Sequence, residues 1–400
     1  MTAEVSRARL GVLALFFANG LLVATDASRL WLIRDLLNAT PTRMGLLLLI
    51  SSVGAVCFMP LTGTALTYLS KPTFIRLVGA VTVVALLGIG FGAMAHSTPA
   101  VAISLFIFGA GVGPMDVAMN VAGTEVEREM GRTAMPQFHA AFSLGTVAAA
   151  LIGAGLSRLG LALIVHFAGA CLVVTALLLW GCAGLMGKFE RHRSVKQTRR
   201  ARLRVALAAW TERRTLLIGL VVLAAGLTEG GANDWLILGI GQDFVVAEPI
   251  GIAGLAIFLA FMTSMRILGA RLVDRYGRVV VQRLSVSLAV IGLLAYTLAP
   301  HLACVMAGAA IWGLGSAMGF PLGLSAAADD PLKAAARTSA VATIGYTAFI
   351  AGPALLGLLA SHVGYRLALL VILLPATWAL ALAGVLRPPP QDGDLDRVAT

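Results

Sequence analysis

Apolar stretches long enough to cross the ~30 Å hydrocarbon core of a bilayer recur along the whole chain, each ended by a polar or Gly/Pro-rich break. Twelve are counted, over 9–30, 43–68, 73–96, 99–126, 134–157, 161–186, 213–240, 250–272, 277–298, 301–326, 335–360 and 365–387. The composition agrees. A hydrophobic fraction of 59%, charged residues at only 12% and a mean hydropathy of +0.91 lie outside the range of soluble domains. The expected fold is all-α and integral to a membrane, with twelve transmembrane helices.

Lys and Arg read the orientation, because cytoplasmic loops carry their excess. With the N-terminus inside, all thirty fall in cytoplasmic segments except Arg29, Arg34, Arg43, Arg158 and Arg366, which face the other side, and Arg266, which lies inside a span. Both termini are then cytoplasmic, as an even number of spans requires. A multi-pass protein of the cell membrane, bacterial and inner, is the expected location.

The net charge of +11 raises nucleic acid as a partner, but the basic residues concentrate in "GKFERHRSVKQTRRARLRVALAAWTERR", between the sixth and seventh spans. That run reads as a topogenic, lipid-facing linker over 187–212, and no nucleic-acid partner is expected. Arg7 and Arg9 precede an apolar run too long for a cleaved signal peptide, so it reads as the first span. Cys57, Cys171, Cys182 and Cys304 lie within apolar spans with no C-x-x-C spacing. They imply neither a disulfide framework nor a metal site.

Six spans, a basic linker and six more suggest a duplication, and self-similarity is found at half the chain length. Gly20 and Gly226, Ala24 and Gly230, and Gly63 and Gly269 match at an offset of 206; "FGAGVG" from Phe108 matches "WGLGSA" from Trp312 at 204. The domains are therefore an N-terminal six-helix bundle over 1–186, the linker, a C-terminal bundle over 213–387, and a disordered tail over 388–400. Two pseudo-symmetric halves place a solute site between them near mid-depth, lined by spans one, four, seven and ten.

The segment "GARLVDRYGRVVVQRL", 269–284, resembles the signature loop of the major facilitator superfamily, through Gly269, Asp274, Arg275, Gly277 and Arg278. The resemblance implies that fold and a gating role for the loop, with Asp274 capping or pairing across helix ends. The first-half copy, "GTALTYLSKPTFIRL", has Tyr68 in place of the aspartate and Lys71 in place of the second glycine. A narrower likeness covers "MDVAMNVAGTEVE" and "GRTAMPQFHAAFSLG", which are similar to the fucose:proton symporter branch. It implies that Asp116 and Asp26 are the proton and sugar residues.

Asp116 is an aspartate about seventeen residues, roughly 25 Å of helix, into the fourth span. An ionised carboxylate there costs ~3 kcal/mol by insertion scales. Low dielectric disfavours its charged form, so its proton state follows water access, as a proton-coupled carrier needs. The alternative is a protonated side chain bonding a neighbouring helix. Asp26 and Arg29 are i, i+3 and are expected to pair, offering bidentate bonds to a solute or else marking the interface. In "LTEGGANDWLIL", Gly230 and Gly231 are expected to break the seventh helix, with Glu229 and Asn233 as hydroxyl partners and Trp235 as a stacking floor. The alternative there is a bend with an interfacial tryptophan. Asn120 follows Asp116 by one turn on the same face of the helix and is a candidate to hydrogen-bond the solute or Asp116 itself. His139 is a candidate proton relay, or a helix-bonded histidine.

No G-x-x-x-x-G-K-[ST] loop occurs, so ATP-driven transport by this chain alone is not expected. Neither is an enzyme. The reading is a proton-coupled symporter of a small polar, sugar-like solute, working by alternating access as a monomer, with the proton as coupling ion and no cofactor. Its rivals are a proton-driven efflux antiporter of amphipathic compounds and a membrane sensor or scaffold that transports nothing.

Overall fold

The computed structural model of the chain describes residues 2–131, 134–190, 208–330 and 333–388, and all regular structure there is helical. Twelve of its helices are long and apolar enough to cross a membrane. They are α1 Ala3–Leu36, α2 Pro41–Gly63, α3 Lys71–Met94, α4 Thr98–Met130, α5 Gln137–Arg158, α6 Leu163–Gly184, α7 Arg213–Phe244, α8 Glu248–Gly269, α9 Arg271–Leu298, α10 Leu302–Ala327, α11 Ala336–Val363 and α12 Tyr365–Leu386. The near end of the molecule is where α1 begins; the far end is where it stops.

Several boundaries are written locally. Thr40, Ser70 and Ser97 accept hydrogen bonds from the backbone N–H groups of Arg43, Thr73 and Ala100. A proline follows each within two residues, where its missing N–H costs nothing. Gly131, at φ 63°, takes the left-handed conformation that stops α4. Gly277, at φ 77° and ψ 161°, interrupts the first two turns of α9 with a kink, and is the second glycine of the signature loop.

The helices form two six-membered bundles. In the first, α1 packs on α5 and α6 while α4 packs on α2 and α3; in the second, α7 packs on α11 and α12. The sequence repeat is a packing repeat. A Cβ on Gly109 would lie 1.8 Å from the Ser51 carbonyl oxygen, where α4 crosses α2, and one on Gly313 would lie 2.2 Å from that of Phe258, where α10 crosses α8. Only glycine allows backbones to approach so closely, and in lipid such close packing replaces the missing hydrophobic drive.

Two helix pairs make the most extensive contacts between the bundles, α2 with α11 and α5 with α8. Ion pairs at the near end stay within one bundle among the described residues. Lys71 pairs with Glu125, and Asp329 takes Arg214 at 2.7 Å and Arg278 at 2.5 Å. Arg337 holds Glu212 at 2.5 Å, and that bond keeps the Glu212 carboxyl below its usual range. The linker over 187–212 is described only at its two ends, and the tail lies outside the described residues from 389 onward.

Two expectations are corrected. The seventh helix is unbroken from Arg213 to Phe244, because Gly230 and Gly231 are used for contact, the first against the Phe349 ring and the second against Ile372. Breaks fall instead in α1, between Ala27 and Leu30, and in α10, between Ser316 and Gly319. Asp274 is exposed with no hydrogen bond or ion pair among the described residues, and Arg275 lies over the Tyr276 ring. The carboxylate that pairs with the arginine of this loop, Arg278, is Asp329. Gly269 is buried against Met318, whose sulfur a Cβ would meet at 2.3 Å.

Candidate functional site

Asp116 stands near the middle of α4, two residues after Pro114, which removes one backbone donor from the helix. It is half-buried. Asn120, one turn on, donates from Nδ2 to the Asp116 carbonyl at 2.9 Å and to Oδ1 at 3.4 Å. The hydroxyl of Tyr346 on α11 donates to Oδ2 at 3.5 Å, across the boundary between bundles. Tyr346 is braced by Phe320 and Phe349, with ring centroids at 5.9 and 6.1 Å.

A second polar group lies beside the first. Arg266 on α8 donates from Nη2 to Glu229 of α7 at 2.8 Å and from Nη1 to Ser143 Oγ of α5 at 3.2 Å. Its Nε reaches the Ala317 carbonyl at 3.4 Å, at the break in α10, where the interrupted helix leaves carbonyls to be shared. Both members of the ion pair are 17% exposed. Tyr346 lies within electrostatic reach of Asp116 and Glu229 together, and His139 of Arg266. His139 sits one turn before Ser143 with its ring edge-on to Phe16 at 5.2 Å. Asp116, Asn120, His139, Ser143, Glu229, Arg266 and Tyr346 thus form one polar band over five helices and both bundles.

Three of these were missed by sequence reasoning. Arg266 was readable, since an arginine within an apolar span is as costly as an aspartate and asks for the same justification. Ser143 and Tyr346 carry no such signal: a hydroxyl in a span is common, and only tertiary contact distinguishes these two.

Four expected site residues lie elsewhere. Arg29 does not pair with Asp26: the two stay one turn apart, with the Arg29 N–H on the Asp26 carbonyl at 3.0 Å, but at the break, where Arg29 has φ −114° and ψ 9°, its guanidinium is taken by Glu248. Asp26 is 8% exposed, with Oδ1 unpartnered among the described residues, and lies within electrostatic reach of Asp234 on α7. Trp235 is 1% exposed and packs on Tyr365 at 5.6 Å, inside the second bundle. Asn233 is half-buried and makes no side-chain hydrogen bond among the described residues. Trp235→Phe should therefore cost about 1–2 kcal/mol of stability through the cavity it leaves and leave the apparent affinity for solute unchanged, checked by thermal unfolding and by transport at graded solute concentration. A solute that stacked on Trp235 would lose affinity.

No cluster of three or more His, Cys, Asp or Glu side chains suited to a metal occurs among the described residues. The four cysteines are unpaired.

A sequence profile of the Major Facilitator Superfamily matches the chain over residues 8–347 and again over 254–399. The chain is 33% identical to a Sinorhizobium fredii protein named "Uncharacterized transporter y4wD" over 378 residues, 94% of this chain and 97% of that protein. Among solved structures, it resembles a bacterial homolog of the human lysosomal transporter Spinster, inward-facing and unoccupied, with a TM-score of 0.74 at 13% identity over 98% of this chain and 100% of that one. It also resembles the nucleoside transporter NupG, with a TM-score of 0.70 at 15% identity over 96% of this chain and 98% of that one. At such identities the structural likeness is one of fold.

Proposed function

The chain belongs to the major facilitator superfamily of transporters, and from that premise we propose that it is a proton-coupled symporter of a small, polar, sugar-like solute. One observation carries the reading. The Asp116–Tyr346 and Arg266–Ser143 contacts cross the boundary between the bundles, so rocking the bundles apart breaks them. Proton occupancy at Asp116 and solute occupancy at its neighbours are then linked to which side the site faces. Asn120, Glu229, Ser143 and Tyr346 supply donors and acceptors that suit hydroxyl groups. The likeness of α4 and α5 to the fucose:proton symporter branch supports the same assignment. The distribution of Lys and Arg supports cytoplasmic termini in a bacterial inner membrane, the near end facing the cytoplasm. Nothing in the mechanism requires more than one copy or a cofactor.

The test has two steps. A thermal-shift screen of purified protein against sugars, organic acids and amphipathic drugs finds the solute, since a ligand at about 100 times its Kd adds ~2.7 kcal/mol. Proteoliposomes then measure its accumulation with and without an inward proton gradient. Gradient-dependent uptake of a sugar-like solute is expected. Ejection of amphipathic dyes without sugar uptake would replace the reading with proton-driven efflux. No movement of any compound would favour a sensor or scaffold.

A further inference from the structure

Arg29 lies at the far end, where α1 breaks, yet is only 1% exposed. Its guanidinium is divided among three partners. Nη1 donates to Glu248 Oε2 at 3.0 Å, Nη2 to the Leu161 carbonyl at 3.3 Å, and Nε to His166 Nδ1 at 3.1 Å. Ser157 donates to the same Glu248 oxygen. Arg29, Ser157, Leu161 and His166 belong to the first bundle, and Glu248 opens α8 of the second, so the pair ties the bundles together at this end. An imidazole nitrogen accepts a hydrogen bond only through a bare lone pair. The contact therefore requires His166 with no proton on Nδ1.

We propose that His166 is a proton-titrated positioning residue for a far-end gate. While Nδ1 is bare, it steers Arg29 onto Glu248 and the gate is shut. Protonation from far-side water forms the Nδ1–H bond, removes the acceptor and sets an imidazolium against the guanidinium, which releases Arg29 from Glu248. Neither the solute nor Asp116 enters this step, so it goes beyond the function proposed above and can fail separately from it.

The groups around the ring can be named. From α1 comes Arg29; Asp26, one turn back on that helix, makes no hydrogen bond to the ring. From α5 comes Gly153, where a Cβ would lie 3.5 Å from His166 Cε1. From α3 comes Gly90, which packs on Phe167 and Ile164 of the same turn of α6. Phe167 itself lies at 5.9 Å from the ring. Glu248 of α8 reaches the ring through Arg29 and is the other group at this gate that can titrate.

The test reads the gate directly, without solute. Spin labels go on Leu159→Cys and Val245→Cys, both exposed positions in far-end turns of opposite bundles, with the four native cysteines replaced. Electron–electron distances are measured in nanodiscs between about pH 8 and about pH 5, which brackets an ordinary histidine. The short-distance population should dominate at the higher pH, and the closed-to-open ratio should fall about tenfold at the lower one. His166→Gln keeps an acceptor for Arg29 that takes no proton, and should stay closed throughout. A His166→Gln variant that opens with acid as the wild type does would assign the switch to Glu248 and overturn the proposal. A wild-type distance that ignores pH would overturn it without any variant.

Discussion

Asp116→Asn should abolish gradient-driven accumulation while leaving solute counterflow at wild-type rate. Asparagine has the shape of the protonated acid, and its carbonyl oxygen can still accept from Tyr346, so the contact across the bundles is retained. What is lost is the ability to release a proton. A gradient of about one pH unit is worth about 1.4 kcal/mol per proton, so a one-proton symporter sustains roughly tenfold accumulation. The variant should only equilibrate its solute. Both quantities come from the same proteoliposomes, because counterflow needs no net proton movement. Accumulation at the wild-type level would reduce Asp116 to a structural hydrogen bond between helices.

Arg266→Ala should be the most damaging single change in the polar band. It leaves Glu229 facing a site from which its charge partner has been removed; breaking a fully buried pair from one side costs about 3–5 kcal/mol, and the partial exposure of this one brings the expected loss to the lower end of that range or below. It also frees Ser143 and the Ala317 carbonyl at the break in α10. Thermal unfolding in detergent should show the loss, and transport should be abolished. The double variant Arg266→Met, Glu229→Gln removes both charges and should recover most of the stability without recovering transport. A single variant as stable as the wild type would mean that water satisfies Glu229, and the pair would then serve recognition alone.

The two predictions differ in how readable their residues are. Asp116 and Arg266 both stand out in the sequence, because an ionisable group in an apolar span carries a cost that has to be offset. Their partners do not stand out. Tyr346 is 230 positions from Asp116, and Ser143 is 123 from Arg266. The i, i+4 rule found Asn120 for Asp116, where the helix is regular. The i, i+3 rule failed for Asp26 and Arg29, where it is not. No pattern within "LLVATDASRLW" announces that the helix stops at Ala27, since nothing there is a strong breaker; the three partners that Arg29 finds at the far end lie outside α1. Trp235 was misplaced for a related reason. A tryptophan beside two glycines and two carboxylates has the composition of a binding site, but helical rotation turns it toward Tyr365.

By itself the sequence determined the twelve spans, the division into two bundles, the glycine repeat that lets equivalent helices cross, and the presence of costly ionisable groups at depth. These are properties of local composition and period, which the bilayer makes decisive because backbone groups in lipid must be satisfied inside each helix. Tertiary structure alone decided which charge meets which: that Arg266 takes Glu229 and Ser143, that Tyr346 reaches Asp116, that Asp329 pairs with Arg278 of the signature loop, and that Arg29 leaves Asp26 for Glu248 and His166. Such pairings depend on the rotation and approach of helices far apart in the chain. That rotation is set by the close packing of many small side chains at once, so no single motif carries it.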